Sequence, residues 1–196
     1  MNYASASSSG SGPCEVLRRT ERYGGAQTTI DRIDPATGLG MPFYILNQNN
    51  DKAIAILHAN PQAQMPDHAL ATIKLHSLSS KIDVVFRGMP FKMKSNTLGS
   101  EYRFDMMGQS YSWSCSSIMS ASTLLYKDGE GNTLAKWMKR PDGRLSSSGA
   151  GPTFVVFVPP QRVDMDLLIV TGLAVIAYWD KEKKEAAQVA EDVLTL

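Results

Sequence analysis

From Phe43 onward the apolar residues come in short runs, rich in β-branched and aromatic side chains, with turn chemistry between them. Such runs predict strands. Those at 43–46, 53–58, 72–75 and 82–86 are set apart by Asn47-Gln48-Asn49-Asn50-Asp51, by Asn60-Pro61 and by Gly88-Met89-Pro90. Phe91 and Met93 alternate with Lys92 and Lys94, and Tyr102, Phe104 and Met106 with Glu101, Arg103 and Asp105. Tyr111 and Trp113 alternate with Ser112 and Ser114. A period of two turns one set inward and the other outward. Residues 123–126 and 133–138 flank Lys127-Asp128-Gly129-Glu130-Gly131-Asn132, a hairpin signal. About eight to ten short strands at this spacing predict an antiparallel barrel or sandwich.

Then the period changes. Residues 154–158 form an apolar strand stopped by Pro159-Pro160, and residues 167–179 carry no charged side chain. The second run is too long for most strands, so a helix at about 164–180 is predicted, with a strand pair broken at Gly172 as the rival. Asp164 and Asp166 suit its N-terminus, and Lys181, Lys183 and Lys184 its negative end. A helix apolar all round must be surrounded. This one reaches only about 20 Å, short of a bilayer, so a core helix is expected and no transmembrane span.

Before Phe43 the pattern fades. Residues 15–40 mix Val16, Leu17, Ile30 and Ile33 with balanced charges and turn residues, and read as a loose lead-in with a short strand near 28–32. The first fourteen positions, MNYASASSSGSGPC, hold no charge and little apolar surface, which predicts a flexible tail. They lack the basic and apolar regions of a secretory signal, and Asn2 stands where myristoylation needs Gly. With no Asn-x-Ser/Thr sequon either, a cytoplasmic protein is expected. The organisation is thus a tail and lead-in over 1–40, a barrel over 41–184 and an extension over 185–196.

Composition narrows the function. The 196 residues are one domain by length, with 20 Lys+Arg against 19 Asp+Glu and a formal charge of +1. That removes the basic excess of a non-specific nucleic-acid binder, and no nucleic-acid partner is expected. Cys14 and Cys115 are the 2 cysteines, too few for a disulfide framework or a Cys-rich zinc site. No Gly-x-Ser-x-Gly, Walker loop or Gly-x-Gly-x-x-Gly occurs, and His58, His68 and His76 match no helical metal pair. No catalytic residue, metal ligand set or cofactor is expected.

The order of these elements, with Tyr111-Ser112-Trp113, the Leu-Tyr/Ala-Lys-Trp hairpin and Asp-x-Asp-Leu-Leu-Ile-Val-Thr-Gly-Leu from Asp164, resembles the tubby C-terminal-like superfamily over about 43–184. The likeness is to its small fungal members, with phospholipid scramblases and LURP-one-related proteins more distant. The resemblance implies a mainly β, closed antiparallel barrel of about twelve strands around a central C-terminal helix. Tubby proteins bind phosphoinositides with this barrel. Their head-group residues match no positions here, and the scramblases' Cys-rich and calcium-binding segments are absent.

Two basic stretches are the candidates for an anionic ligand. Residues 81–103 include Arg87, Lys92 and Lys94, and residues 136–144 include Lys136, Lys139, Arg140 and Arg144; each stretch is net +3. If they adjoin, they form a patch for phospholipid head groups at a membrane surface. The plain alternative is a solvated surface with Lys guarding strand edges. The expectation is a non-enzymatic binding module for anionic lipid, peripheral at membranes. A protein-interaction module is the alternative, and an enzyme whose site assembles only in three dimensions comes third.

Overall fold

The computed structural model describes residues 13–25, 27–50, 53–60, 69–76, 81–96, 100–115, 122–140 and 151–194. Among them, twelve strands close into one antiparallel barrel. They are β1 (Glu15–Arg22), β2 (Gln27–Ile33), β3 (Gly40–Asn50), β4 (Ala53–His58), β5 (Ala71–Leu75) and β6 (Lys81–Phe86). After these come β7 (Met89–Ser95), β8 (Glu101–Met106), β9 (Gln109–Cys115), β10 (Thr123–Asp128), β11 (Thr133–Met138) and β12 (Thr153–Val156). Each pairs with its sequence neighbour, and β12 returns to β1, Val16 opposite Val155. Closure leaves no free sheet edge.

One helix, α1 (Met165–Leu194), runs through this barrel. Every residue from 167 to 176 is buried, which only a helix enclosed on all sides allows. Two contacts show how tight the enclosure is. Trp113 of β9 donates its indole N–H to Thr171 Oγ1 at 2.9 Å, and Thr171 Oγ1 donates on to the Leu167 carbonyl at 2.7 Å. Gly172 abuts two rings; a Cβ there would lie 2.7 Å from Phe154 Cε1 and 2.9 Å from Trp113 Cζ2. Gly172 is therefore a point of close packing within the helix, not the break of a strand pair.

The strands turn their alternate residues onto α1. A run of neighbouring rings crosses the lining: Phe91, Phe104, Tyr111, Tyr126, Trp113 and Phe154, with centroids 4.9–6.2 Å apart. The turn from β6 to β7 has only Arg87 and Gly88, both at positive φ (47° and 79°). Two left-handed residues in sequence match the strand twist, and glycine takes the second place without strain.

Two boundaries differ from the sequence reading. The lead-in over 15–40 is not loose: β1 and β2 seal the barrel between β12 and β3. Their pattern is masked by a buried charge. Thr29, Ile30 and Asp31 are all buried beside a register shift at which β3 carries the extra residue Phe43, and Thr29 and Asp31 share the face of β2 opposite the core residue Ile30. Arg22 Nη2 meets Asp31 Oδ2 at 2.6 Å, and Thr29 donates to Asp31 Oδ1 at 2.7 Å. The second correction concerns the helix, which continues past 180 to Leu194, so residues 185–194 are not a separate extension. Residues 180–188 are strong helix formers, joined by a Lys181–Glu185 pair at 3.6 Å. The predicted tail over residues 1–12 lies outside the described residues. No helix among the described residues is long and apolar enough to cross a membrane.

Because Phe154 and Trp113 belong to a packed ring lattice, Gly172→Ala should force them apart and lower stability by about 1–3 kcal/mol. Chemical denaturation measures this. An unchanged midpoint would mean that the helix and β12 are not in the contact described.

Candidate ligand-binding site

Antiparallel strands send successive turns to alternate ends of the barrel. The end where α1 begins also carries the β6–β7, β8–β9 and β10–β11 turns; the other end carries the exit of β11 and the emerging half of α1. The two ends differ in charge. Asp34, Asp105, Asp128, Glu130, Asp164 and Asp166 cluster at the first. Arg19, Lys94, Lys139, Arg140, Lys183 and Lys184 lie toward the second.

At the acidic end the helix is locked to the wall. Asp164 caps it as its sequence predicts, accepting the Leu167 N–H at Oδ1 over 3.1 Å. Asp166 does something else. Its Oδ1 accepts the Tyr44 hydroxyl at 2.6 Å, while Oδ2 accepts Arg87 Nη2 and faces His58 Nε2 at 3.4 Å. Arg87 also donates to Asp164 at 2.9 Å and lies over the Phe86 ring. This cluster holds α1, β3, β4 and the β6–β7 turn together. Burial, reinforced by Asp166, pushes the Tyr44 hydroxyl well above its ordinary pKa. Burial does the same to Tyr102 and Tyr126.

The predicted ligand residues separate on the barrel. Arg87, at the acidic end, is committed to two carboxylates and is removed from the candidate set. Lys92 on β7 lies 3.7 Å from Asp83 of β6. Lys94 is exposed near the basic end, with Lys81 directly opposite on β6 and Arg103 opposite on β8. Like charges face to face across strands are unfavourable, so this row marks a real concentration of positive charge. Arg103 is relieved by Glu101 at 2.8 Å. Lys136 stands on β11 over the Phe157 ring, with β8, β9 and β10 between it and β7. The two basic stretches therefore do not share one wall. Lys94 on one side and Lys139 with Arg140 on the other lie toward the same end of the barrel. Arg144 lies outside the described residues.

Sequence reasoning missed the opening at that rim. Beside the emerging helix is a cleft of about 660 Å³, lined by Arg19, Leu46, Ile54, Leu75, Leu173 and Ile176 among others. A smaller one of about 110 Å³ adjoins it between Arg19, Lys139, Trp179 and Lys183. Arg19 faces both. The signal in the sequence was its spacing from Leu17, since i and i+2 on a strand share a face. Burial pushes the Cys115 thiol up, away from the thiolate form.

Fold and site together define a closed β-barrel built on a buried helix, with an acidic end that anchors the helix and a basic, open end. No family model and no curated protein matches the chain. A solved structure of an Arabidopsis thaliana protein is similar at 11% identity with a TM-score of 0.49, covering 86% of this chain and 91% of that chain.

The raised tyrosines set an alkaline limit on stability. A neutral hydroxyl favoured by the fold contributes stability that is complete below the unfolded value of about 10 and is lost as pH rises above it. Melting temperatures should therefore fall above about pH 10. Tyr44→Phe should be less stable at neutral pH yet flatter in this alkaline range. Identical slopes for both proteins would place the effect elsewhere.

Proposed function

We propose that the protein is a non-enzymatic binding module that recognises anionic phospholipid head groups with its basic end, acting peripherally at cytoplasmic membrane surfaces. The observation that carries this reading is the cross-strand row Lys81–Lys94–Arg103, set in register on three adjacent strands. Such a row concentrates positive charge where an anionic surface can meet it. Near an anionic bilayer each basic residue contributes about 1 kcal/mol. Lys139, Arg140 and Lys183 extend the positive charge around the same rim. The barrel with its buried helix is the fold that a tubby-like resemblance implies, and it lends that resemblance support.

A second reading has its own observation at the opposite end. Leu39, Met41 and Met107 are 69%, 66% and 66% exposed, with Met89 and Phe157 at 40% and 41%. Apolar side chains within an acidic surround suit a protein partner better than an anionic bilayer.

Co-sedimentation with liposomes separates the two. Wild type should bind vesicles containing phosphatidylserine or phosphoinositide at low salt, less as salt rises, and phosphatidylcholine not at all. Reversal at Lys94→Glu, Lys139→Glu and Arg140→Glu together should abolish binding, whereas Arg87→Gln should leave it unchanged while lowering stability by about 1 kcal/mol. Absence of binding to every anionic vesicle at low salt removes the lipid reading and leaves the apolar, acidic end as the interaction surface.

A further inference from the structure

The cleft at the basic end is larger than packing requires. Its volume of about 660 Å³ falls within the range of about 300–1,000 Å³ typical of small-molecule sites. One wall is a single stripe of α1, in which Leu173, Ile176, Ala177, Asp180, Lys181 and Lys184 recur every three or four residues. The stripe is apolar inside the barrel and charged where the helix leaves it. The other wall is the inner face of β1–β5, including Leu46, Ile54 and Leu75. Ile54, Leu75, Leu173 and Ile176 keep 7%, 5%, 4% and 6% exposure, whereas Ile30, Ile56, Ile73 and Ile82 deeper in the core are at 0%. The cleft floor is thus apolar carbon still touched by solvent.

Arg19 supplies the polar half of the site. It follows Leu17 on the inward side of β1, and its Nε is cut off from solvent with no hydrogen-bond partner. A guanidinium stays charged at any ordinary pH and has only donors, so a buried N–H without an acceptor is a costly vacancy. The charges facing it across the cleft are Lys181, Lys184, Asp180 and Glu185. With Arg19 these leave one positive charge in excess, enough for a monoanion.

The geometry points to this cleft as a binding site for a single-chain fatty carboxylate, with the carboxylate on Arg19 and the chain along Leu46, Ile54, Leu75, Leu173 and Ile176. The guanidinium fork matches a carboxylate's two oxygens, and the wetted floor matches an acyl chain. A monomeric fatty acid reaches the cleft from solution, so the site stands apart from the bilayer reading and survives its failure.

The test is titration of the full chain, in detergent-free buffer, with cis-parinaric acid as a fluorescent fatty acid and with its methyl ester, both below micellar concentrations. Wild type should bind the acid saturably, one per chain, and hexadecanoate should displace it better than lysophosphatidate, whose phosphate carries more charge than the cleft balances. Arg19→Gln should weaken the acid about tenfold and leave the ester unchanged. Ala177→Trp, at a partly exposed position on the cleft, should block both probes; thermal melts establish that each variant is folded. If Ala177→Trp does not fold, the acid-against-ester comparison in Arg19→Gln still decides. Non-saturable binding by wild type overturns the proposal, as does equal loss of acid and ester in Arg19→Gln. Stronger displacement by lysophosphatidate overturns it in favour of a phosphate head-group site.

Discussion

The structure depends on keeping residues 167–176 of α1 away from water on every side. A helix with one apolar stripe can rest on a sheet; one apolar all round needs a closed wall. Closure in turn requires something to fill it, because a twelve-stranded ring is too wide for its own inward side chains to meet. Helix and barrel are each the other's core. The contact of Gly172 with Phe154 and Trp113 shows the fit, and the Trp113–Thr171 hydrogen bond satisfies two polar groups that water cannot reach.

The ends of this arrangement are chemically unlike. Where α1 begins, its unpaired N–H groups and positive dipole favour carboxylates, and Asp164 and Asp166 are held there by the cap, Tyr44 and Arg87. Nearly every polar group described in that cluster is engaged. Where α1 emerges, the wall stands away from the helix, basic side chains gather, and apolar carbon meets solvent. One end completes the fold, and the other holds an open cleft.

Two arginines on the same strand make the contrast sharp. Arg22 reaches Asp31, buried on the face of β2 opposite Ile30, and Thr29 completes the set. Arg19, nearer the middle of β1, has its Nε shielded from solvent without a hydrogen-bond partner. The fold pairs the half-buried guanidinium of Arg22 and leaves the Nε of Arg19 without a partner beside the cleft.

Most of the wall and the helix were legible from residue order alone. Alternation along β7, β8 and β9 is a local property, set by which side chains flank one another, and so is the uncharged run that became the buried part of α1. The strands β1 and β2 were illegible for a physical reason: Arg22 and Asp31 neutralise each other only once the two strands pair, so their charges looked like a solvated surface. The length of α1 past 180 rests on helix propensity, which an apolar run does not register. Charge density along the chain, which marks the candidate ligand residues, is blind to partners. Only the closed barrel revealed that Arg87 belongs to the helix anchor, that Lys136 stands three strands from the other basic stretch, and that Arg19 faces an apolar cleft. Side-chain periodicity is written in neighbours a few residues apart, whereas pairing of charges and the shape of an opening depend on residues that closure brings together from the two ends of the chain.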